Sequence, residues 1–179
     1  MTRIGNVYGE AMYSLAREED AAAAVLDELA VLEQCFAQEP DFLRLLASPT
    51  LTKEERCAVL EESFRGRVHP YVLNFLKILT ERGYIRQFSD CCAAYRELYD
   101  RDGNILRVTA VSAVPLSAQQ TERLTEKLAG MTGKTIALTQ KVDPAVLGGM
   151  RLDYDGKRID DTVAHRLESL RSLLRKTVL

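Results

Sequence analysis

The side chains in this sequence that could do chemistry are few and scattered. The 179 residues include two histidines, His69 and His165, and four cysteines, Cys35, Cys57, Cys91 and Cys92. Acid/base or nucleophilic catalysis needs such groups within hydrogen-bond reach of one another. The histidines lie far apart, in what read as different modules, and no HExxH, GxSxG or CxxC pattern is present. Each histidine reads as a surface or capping residue. The cysteine spacings fit no zinc pattern. Cys91 and Cys92 are adjacent, so on a helix they would point to different faces. All four read as small buried or half-buried thiols in a reducing compartment.

Three short motifs invite a sharper reading. Gly133-Lys134-Thr135 looks like the tail of a phosphate-binding loop. The full pattern needs glycine five positions earlier, where Leu128 stands, and it needs a strand followed by a helix. Here a helical pattern precedes and a strand follows. Gly130-Met131-Thr132-Gly133 spells the GXXG of KH domains, whose loop joins two helices; no aromatic stacking run or concentrated basic patch accompanies it. A C-cap and a turn account for both motifs. Asp160-Asp161 pairs two carboxylates just ahead of the last helical pattern, where acidic side chains cap free amides and complement the helix dipole.

The elements that would position these groups change character along the chain. The first hundred residues read as helix after helix. One runs from about Ile4 to Glu18, with Tyr8, Ala11, Met12 and Leu15 on one stripe. The next runs from about Asp20 to Gln38 through Val25, Leu29, Leu32 and Phe36. A short helix covers Phe42 to Ala47 after Pro40. Thr52 to Glu55 forms a capping box for a helix to about Phe64, which Gly66 closes. Pro70 opens a fifth, ended by Gly83, and a sixth covers about Ile85 to Arg101. In the fifth, Val72, Phe75, Leu76 and Leu79 make one core stripe, while Ile78 falls beside Tyr71 and Asn74. A helix apolar beyond one stripe is either deeply buried or bound to something; the pattern alone favours burial. Small Ala11 beside Tyr8 could let another helix approach.

Asp102-Gly103-Asn104 marks a turn. Ile105 to Val114 is β-branched and reads as a strand, stopped by Pro115. Ser117 to Gln120 is a second capping box, opening a helix to about Ala129. Thr135 to Val142 and Met150 to Tyr154 read as strands, and Asp155-Gly156 as a hairpin turn into Lys157 to Asp160. A final helix from about Thr162 carries Val163, Leu167, Leu170 and Leu174. The expected architecture is α+β: a six-helix bundle over residues 1–104, then a small β-α-β-β-α domain over 105–179.

Composition narrows function without naming it. Hydrophobic residues make up 46% and charged residues 28%, as in a soluble domain with a packed core. No apolar run approaches the roughly 20 residues of a membrane span. The N-terminal segment has no apolar signal core, which points to a cytosolic chain. Residues 1–104 carry 12 basic against 18 acidic side chains, a net −6; residues 105–179 carry 12 against 8, a net +4. That split suits two modules with different neighbours. Together these features point to a connector rather than a catalyst.

Two stretches carry a resemblance. Ile136 to Met150 contains Val142-Asp143-Pro144-Ala145-Val146-Leu147-Gly148-Gly149, followed by Arg151 to Gly156 and Ile159-Asp160. This succession resembles the C-terminal signature of the delta subunits of F-type ATP synthases, the family of the oligomycin-sensitivity-conferring protein. Val7 to Ala16 is similar to the family's opening helix, departing at Val7, where arginine or proline is commoner, and at Gly9, where alanine is. Asp41-Phe42-Leu43 with Leu46 to Pro49, and Asn74 to Tyr84, match two further helical elements.

The resemblance implies a non-catalytic peripheral-stalk subunit with no cofactor or metal and no nucleic-acid partner. It implies that the helical bundle binds N-terminal segments of alpha subunits in a groove between the first and fifth helices, through Tyr8, Ala11, Met12, Leu15, Asn74 and Ile78. It implies that the C-terminal region meets the C-terminal ends of the b subunits, with Leu167, Leu170 and Leu174 as candidate contacts. The complex would sit at the cytoplasmic face of a bacterial inner membrane, with this chain attached only through its partners.

Overall fold

The computed structural model describes residues 2–168. Contacts divide the chain into two compact units, with the division between Tyr99 and Asp100. The first contains α1 (Arg3–Glu18), α2 (Ala22–Gln38), α3 (Pro40–Leu46), α4 (Lys53–Phe64), α5 (Pro70–Glu81) and most of α6 (Phe88–Asp102), with a 3-10 turn at Ile85–Gln87. Asp100, in the last turns of α6, accepts a two-pronged bond from Arg107 at 2.6 and 2.8 Å, which ties that end of the helix to the first strand.

The helix boundaries follow from their caps. The Thr52 hydroxyl accepts from the Glu55 amide at 3.2 Å, and the Glu55 carboxylate accepts from the Thr52 amide at 2.8 Å, satisfying two donors the helix leaves free. His69 caps α5: its Nδ1 accepts from the Tyr71 amide at 3.3 Å, with Pro70 in the first turn. α2 begins at Ala22 rather than Asp20 because Asp20 takes a left-handed conformation, φ 54°, that breaks the helix.

One core joins these helices. Val25, Leu29 and Phe36 of α2 meet Leu60 of α4 and Leu76 and Leu79 of α5. Each such side chain contributes about 1.5–3 kcal/mol by leaving water. Phe36 stands edge-on to Phe88 with ring centres 5.1 Å apart. The buried Tyr95 packs edge-on to Tyr13 at 5.3 Å and donates its hydroxyl to the Ala22 carbonyl at 2.9 Å. Cys91 and Cys92 are both buried despite facing different ways, because α6 is enclosed on more than one side. Burial pushes both thiols up, Cys91 to about 11, so they are packing groups rather than nucleophiles.

α1 presents a different face from the one its larger apolar residues suggest. Its buried residues are Gly5, Gly9, Met12, Tyr13 and Ala16. A Cβ at Gly5 would stand 2.6 Å from the Asp90 Cβ; one at Gly9 would stand 2.7 Å from the Cys91 carbonyl oxygen and 2.8 Å from the Ala94 Cβ. The glycines let α1 lie almost backbone to backbone on α6, and that contact sets the helix's rotation. Ala11 and Leu15 are thereby turned outward, while Tyr8 stays half-buried against the core. An alanine normally stabilises a helix interior by about 1 kcal/mol over glycine. Gly9→Ala should reverse that sign, because overpacking costs about 1–3 kcal/mol. A net loss of up to about 2 kcal/mol in urea unfolding is expected; a gain would show that α1 can shift freely.

The second unit contains β1 (Ile105–Ser112), α7 (Ala118–Thr132), β2 (Thr135–Val142), a 3-10 turn at Pro144–Val146, β3 (Met150–Tyr154) and β4 (Lys157–Asp160), then helix over 163–168. The sheet order is β2-β1-β3-β4, with β1 and β2 parallel and the remaining pairs antiparallel. α7 makes the crossover that a parallel pair requires. It opens on the Ser117–Gln120 capping box and closes on Gly133 at φ 66°. β1 stops at Ser112, short of Val114, because the Ser112 hydroxyl bonds the Val114 carbonyl at 2.8 Å and bends the chain. Asp155 and Gly156 both have positive φ, 47° and 69°, and turn β3 into β4 as a type I′ hairpin demands.

Candidate docking sites

The chemistry-bearing motifs are consumed by the fold. The Gly133 amide donates to the Ala129 carbonyl at 2.8 Å, the Lys134 amide to the Thr132 hydroxyl at 3.3 Å and the Thr135 amide to the Asn104 carbonyl at 3.0 Å. All three are spent on cap and turn, so the segment lacks the convergent amides of a phosphate loop. His69 is a cap, and His165 is exposed in the last helical segment. Among the described residues no three His, Cys, Asp or Glu converge as a metal cage, and no helix is long and apolar enough to cross a membrane.

What remains is surface. In the first unit α1 and α5 lie against each other. α1 exposes Ala11 and Leu15, the latter at 39%, and α5 exposes Asn74 and Ile78, the latter at 36%. Tyr8 is half-buried, its ring edge-on to Tyr84 at 6.0 Å. Met12 does not join them. It is only 4% exposed, because the rotation that seats Gly5 and Gly9 on α6 carries Met12 into the core. It is a packing residue and offers a partner no surface. Val7, by contrast, is 58% exposed and lies one turn before Ala11, so Val7, Ala11 and Leu15 form an outward ridge at i, i+4, i+8. The sequence shows that spacing, but not which way the helix faces. The ridge on α1 is exposed and apolar, as is Ile78 on α5.

In the second unit the signature residues build a corner. The Asp143 amide donates to the Ser112 carbonyl at 2.9 Å, and its carboxylate accepts from the Ala145 amide at 3.0 Å. This sets the turn Pro144–Val146 and sinks Val146 into the unit. Gly149, at φ 77°, passes so close to the next helix that a Cβ would collide with the Asp161 carbonyl oxygen and lie 3.1 Å from the Thr162 Cα. Between them Leu147 takes φ 63° while its side chain is 66% exposed. A non-glycine residue held there costs about 1–3 kcal/mol.

The corner anchors the last helical segment. The Val163 amide donates to the Gly148 carbonyl at 2.9 Å, and the Asp161 amide to the Met150 carbonyl at 3.1 Å. Thr162, buried, accepts from the His165 amide at 3.1 Å and donates to the Asp160 carboxylate at 2.7 Å. The helix is therefore capped by Thr162, with Asp160 orienting the cap; the Thr162 bonds hold the Asp160 carboxyl below its usual range. Val142, Val163 and Leu167 are exposed. Leu170 and Leu174 lie outside the described residues.

The family model for the ATP synthase delta (OSCP) subunit matches residues 4–174. ATP synthase subunit delta of Alkaliphilus oremlandii is 36% identical over 169 residues, covering 94% of each chain. That of Clostridioides difficile is 31% identical over 176 residues, covering 98% of this chain and 97% of the relative. A chain in the cryo-EM structure of the Toxoplasma gondii mitochondrial ATP synthase hexamer superposes with a TM-score of 0.72 at 21% identity, over 97% of this chain and 98% of that one. At that identity the likeness concerns the mixed helix-and-sheet fold. The match runs through both units from end to end, and the chain belongs to the ATP synthase delta (OSCP) subunit family.

Proposed function

We propose that this chain is the peripheral-stalk subunit of an F-type ATP synthase, a non-catalytic joint that keeps the catalytic head from turning with the rotor so that torque drives ATP synthesis. The family match along both units carries this reading. α1–α6 act as a six-helix bundle that takes the N-terminal segments of alpha subunits on the α1–α5 side, through Tyr8, Ala11, Leu15, Asn74 and Ile78. The C-terminal unit takes the C-terminal ends of b subunits at the corner and last helix, including Leu167. The chain needs no cofactor and works at the cytoplasmic face of a bacterial inner membrane, held there by its partners. A stator joint resists torque through complementary surfaces, and the exposed apolar ridge on α1 supports that role.

Co-purification tests the reading. A tagged chain expressed in its own host should bring down alpha and b subunits from solubilised membranes; a pull-down without either would refute it. Deleting residues from Thr162 onward should abolish binding of b subunits while circular dichroism retains the signal of the N-terminal helices. Normal recovery of b subunits by the truncated chain would remove the C-terminal unit's assignment.

A further inference from the structure

His69 is an unusual cap. Serine, threonine, asparagine and aspartate lead at that position, each offering an oxygen that accepts at neutral pH. Here the acceptor is a ring nitrogen. His69 Nδ1 takes the Tyr71 amide at 3.3 Å, while the His69 carbonyl takes the Leu73 amide at 3.1 Å. Nδ1 accepts only while it carries no proton, so the bond selects the neutral ring with its proton on Nε2. The same residue ties neighbouring helices together. Its amide donates to the Glu28 carboxylate of α2 at 2.7 Å. Its ring centre lies 4.9 Å from that of Tyr71, and the Tyr71 hydroxyl bonds Glu19, the C-cap of α1. The titratable groups around the junction are therefore Glu28 from α2, Glu19 from the end of α1 and Tyr71 from α5. Partial burial and then Glu19 push the Tyr71 hydroxyl up. Among these residue types, histidine is the one that ordinarily changes charge between pH 5 and 8.

From this geometry we infer that His69 is a pH-sensitive latch at the start of α5. Protonation removes the Nδ1 acceptor and sets a positive charge at the positive end of the helix dipole, so the Tyr71 amide loses its cap. The charged ring gains a counter-ion in Glu28, which is already held at the His69 backbone. The residue thus has two arrangements: neutral and bonded to α5, or charged and paired with α2. Acidification releases the first turn of α5, and with it Tyr71, which packs partly buried against the core. An asparagine would hold the same turn at either pH, so the imidazole itself confers the response. The latch stands whether or not the chain docks other subunits.

Amide exchange followed by NMR in the full-length chain, at pH 8 and pH 5.5 and corrected for the intrinsic effect of pH, reads the latch. Protection of the Tyr71 amide should fall about threefold or more at the lower pH in the parent. In His69→Asn, whose side-chain oxygen accepts at both pH values, it should hold steady. Glu28→Gln keeps an acceptor for the His69 amide but removes the counter-ion, so the transition should move to lower pH; a transition that stayed put would remove Glu28 as the ring's second partner. Unchanged Tyr71 protection in the parent would overturn the inference. So would an equal fall in His69→Asn, which would place the titrating group elsewhere. His69→Ser supplies a second non-titrating cap for the same comparison if circular dichroism shows asparagine disturbing the first unit.

Discussion

Replacing Ile78 by aspartate is expected to weaken binding of a peptide from the alpha N-terminus by more than about 2 kcal/mol, roughly thirtyfold, as for a buried anchor at an interface centre. The free chain should hardly notice the change. Ile78 is already 36% exposed, so a carboxylate there remains hydrated and the core stripe of Val72, Leu76 and Leu79 is untouched. In the proposed complex the same carboxylate would be taken from water against an apolar helix face without a partner, and that desolvation would produce the loss. Calorimetric titration reads the affinity and circular dichroism reads the fold. Unchanged affinity with an intact fold would remove the α1–α5 side from the interface.

The neighbouring substitution explains why the test falls on Ile78. Leu79, one residue on, is fully buried; a charge there would unfold the unit and report nothing about docking. Met12 is disqualified for the same reason. A binding test has to act on side chains that the free chain leaves in water, and on this side those are Val7, Ala11, Leu15, Asn74 and Ile78.

Much of the fold is legible in the sequence because short-range chemistry dictates it. Thr52 with Glu55 and Ser117 with Gln120 announce two helix starts, and both boxes are closed in the structure. Asp155-Gly156 announces a turn with two positive φ angles, and both are positive. What escapes is decided by packing between elements. Periodicity ranks residues by size and apolarity, so it places Tyr8, Ala11, Met12 and Leu15 on one stripe. The structure instead buries Gly5 and Gly9, whose value lies in the absence of a side chain. A glycine reads as a blank in a hydrophobic pattern, yet here it sets the rotation of the helix and so decides what a partner sees. Leu147 is hidden likewise. In sequence it is one apolar residue of a signature; only the backbone angle and its exposure separate it from buried Val146 beside it.

Gly149→Ala is expected to destabilise the C-terminal unit by about 2–5 kcal/mol. Two terms add. An alanine at φ 77° costs about 1–2 kcal/mol from the left-handed clash alone. The new methyl also meets backbone, the Asp161 carbonyl oxygen and the Thr162 Cα at 3.1 Å, and backbone cannot rotate away as a side chain can, so overpacking adds a further 1–3 kcal/mol or so. Gly156→Ala separates the terms. Its φ is 69°, but nothing lies within 4 Å of a Cβ there, so it carries the conformational cost without the collision. Hydrogen exchange of the β3 and β4 amides in the two variants gives the difference directly, without assuming that the two units unfold together. If Gly149→Ala cost no more than Gly156→Ala, the close approach would not be what fixes the corner. If it costs more, the paired glycines hold the start of the last helix against β3. The exposed Leu147 and Leu167 are then carried on a rigid mount rather than a loop.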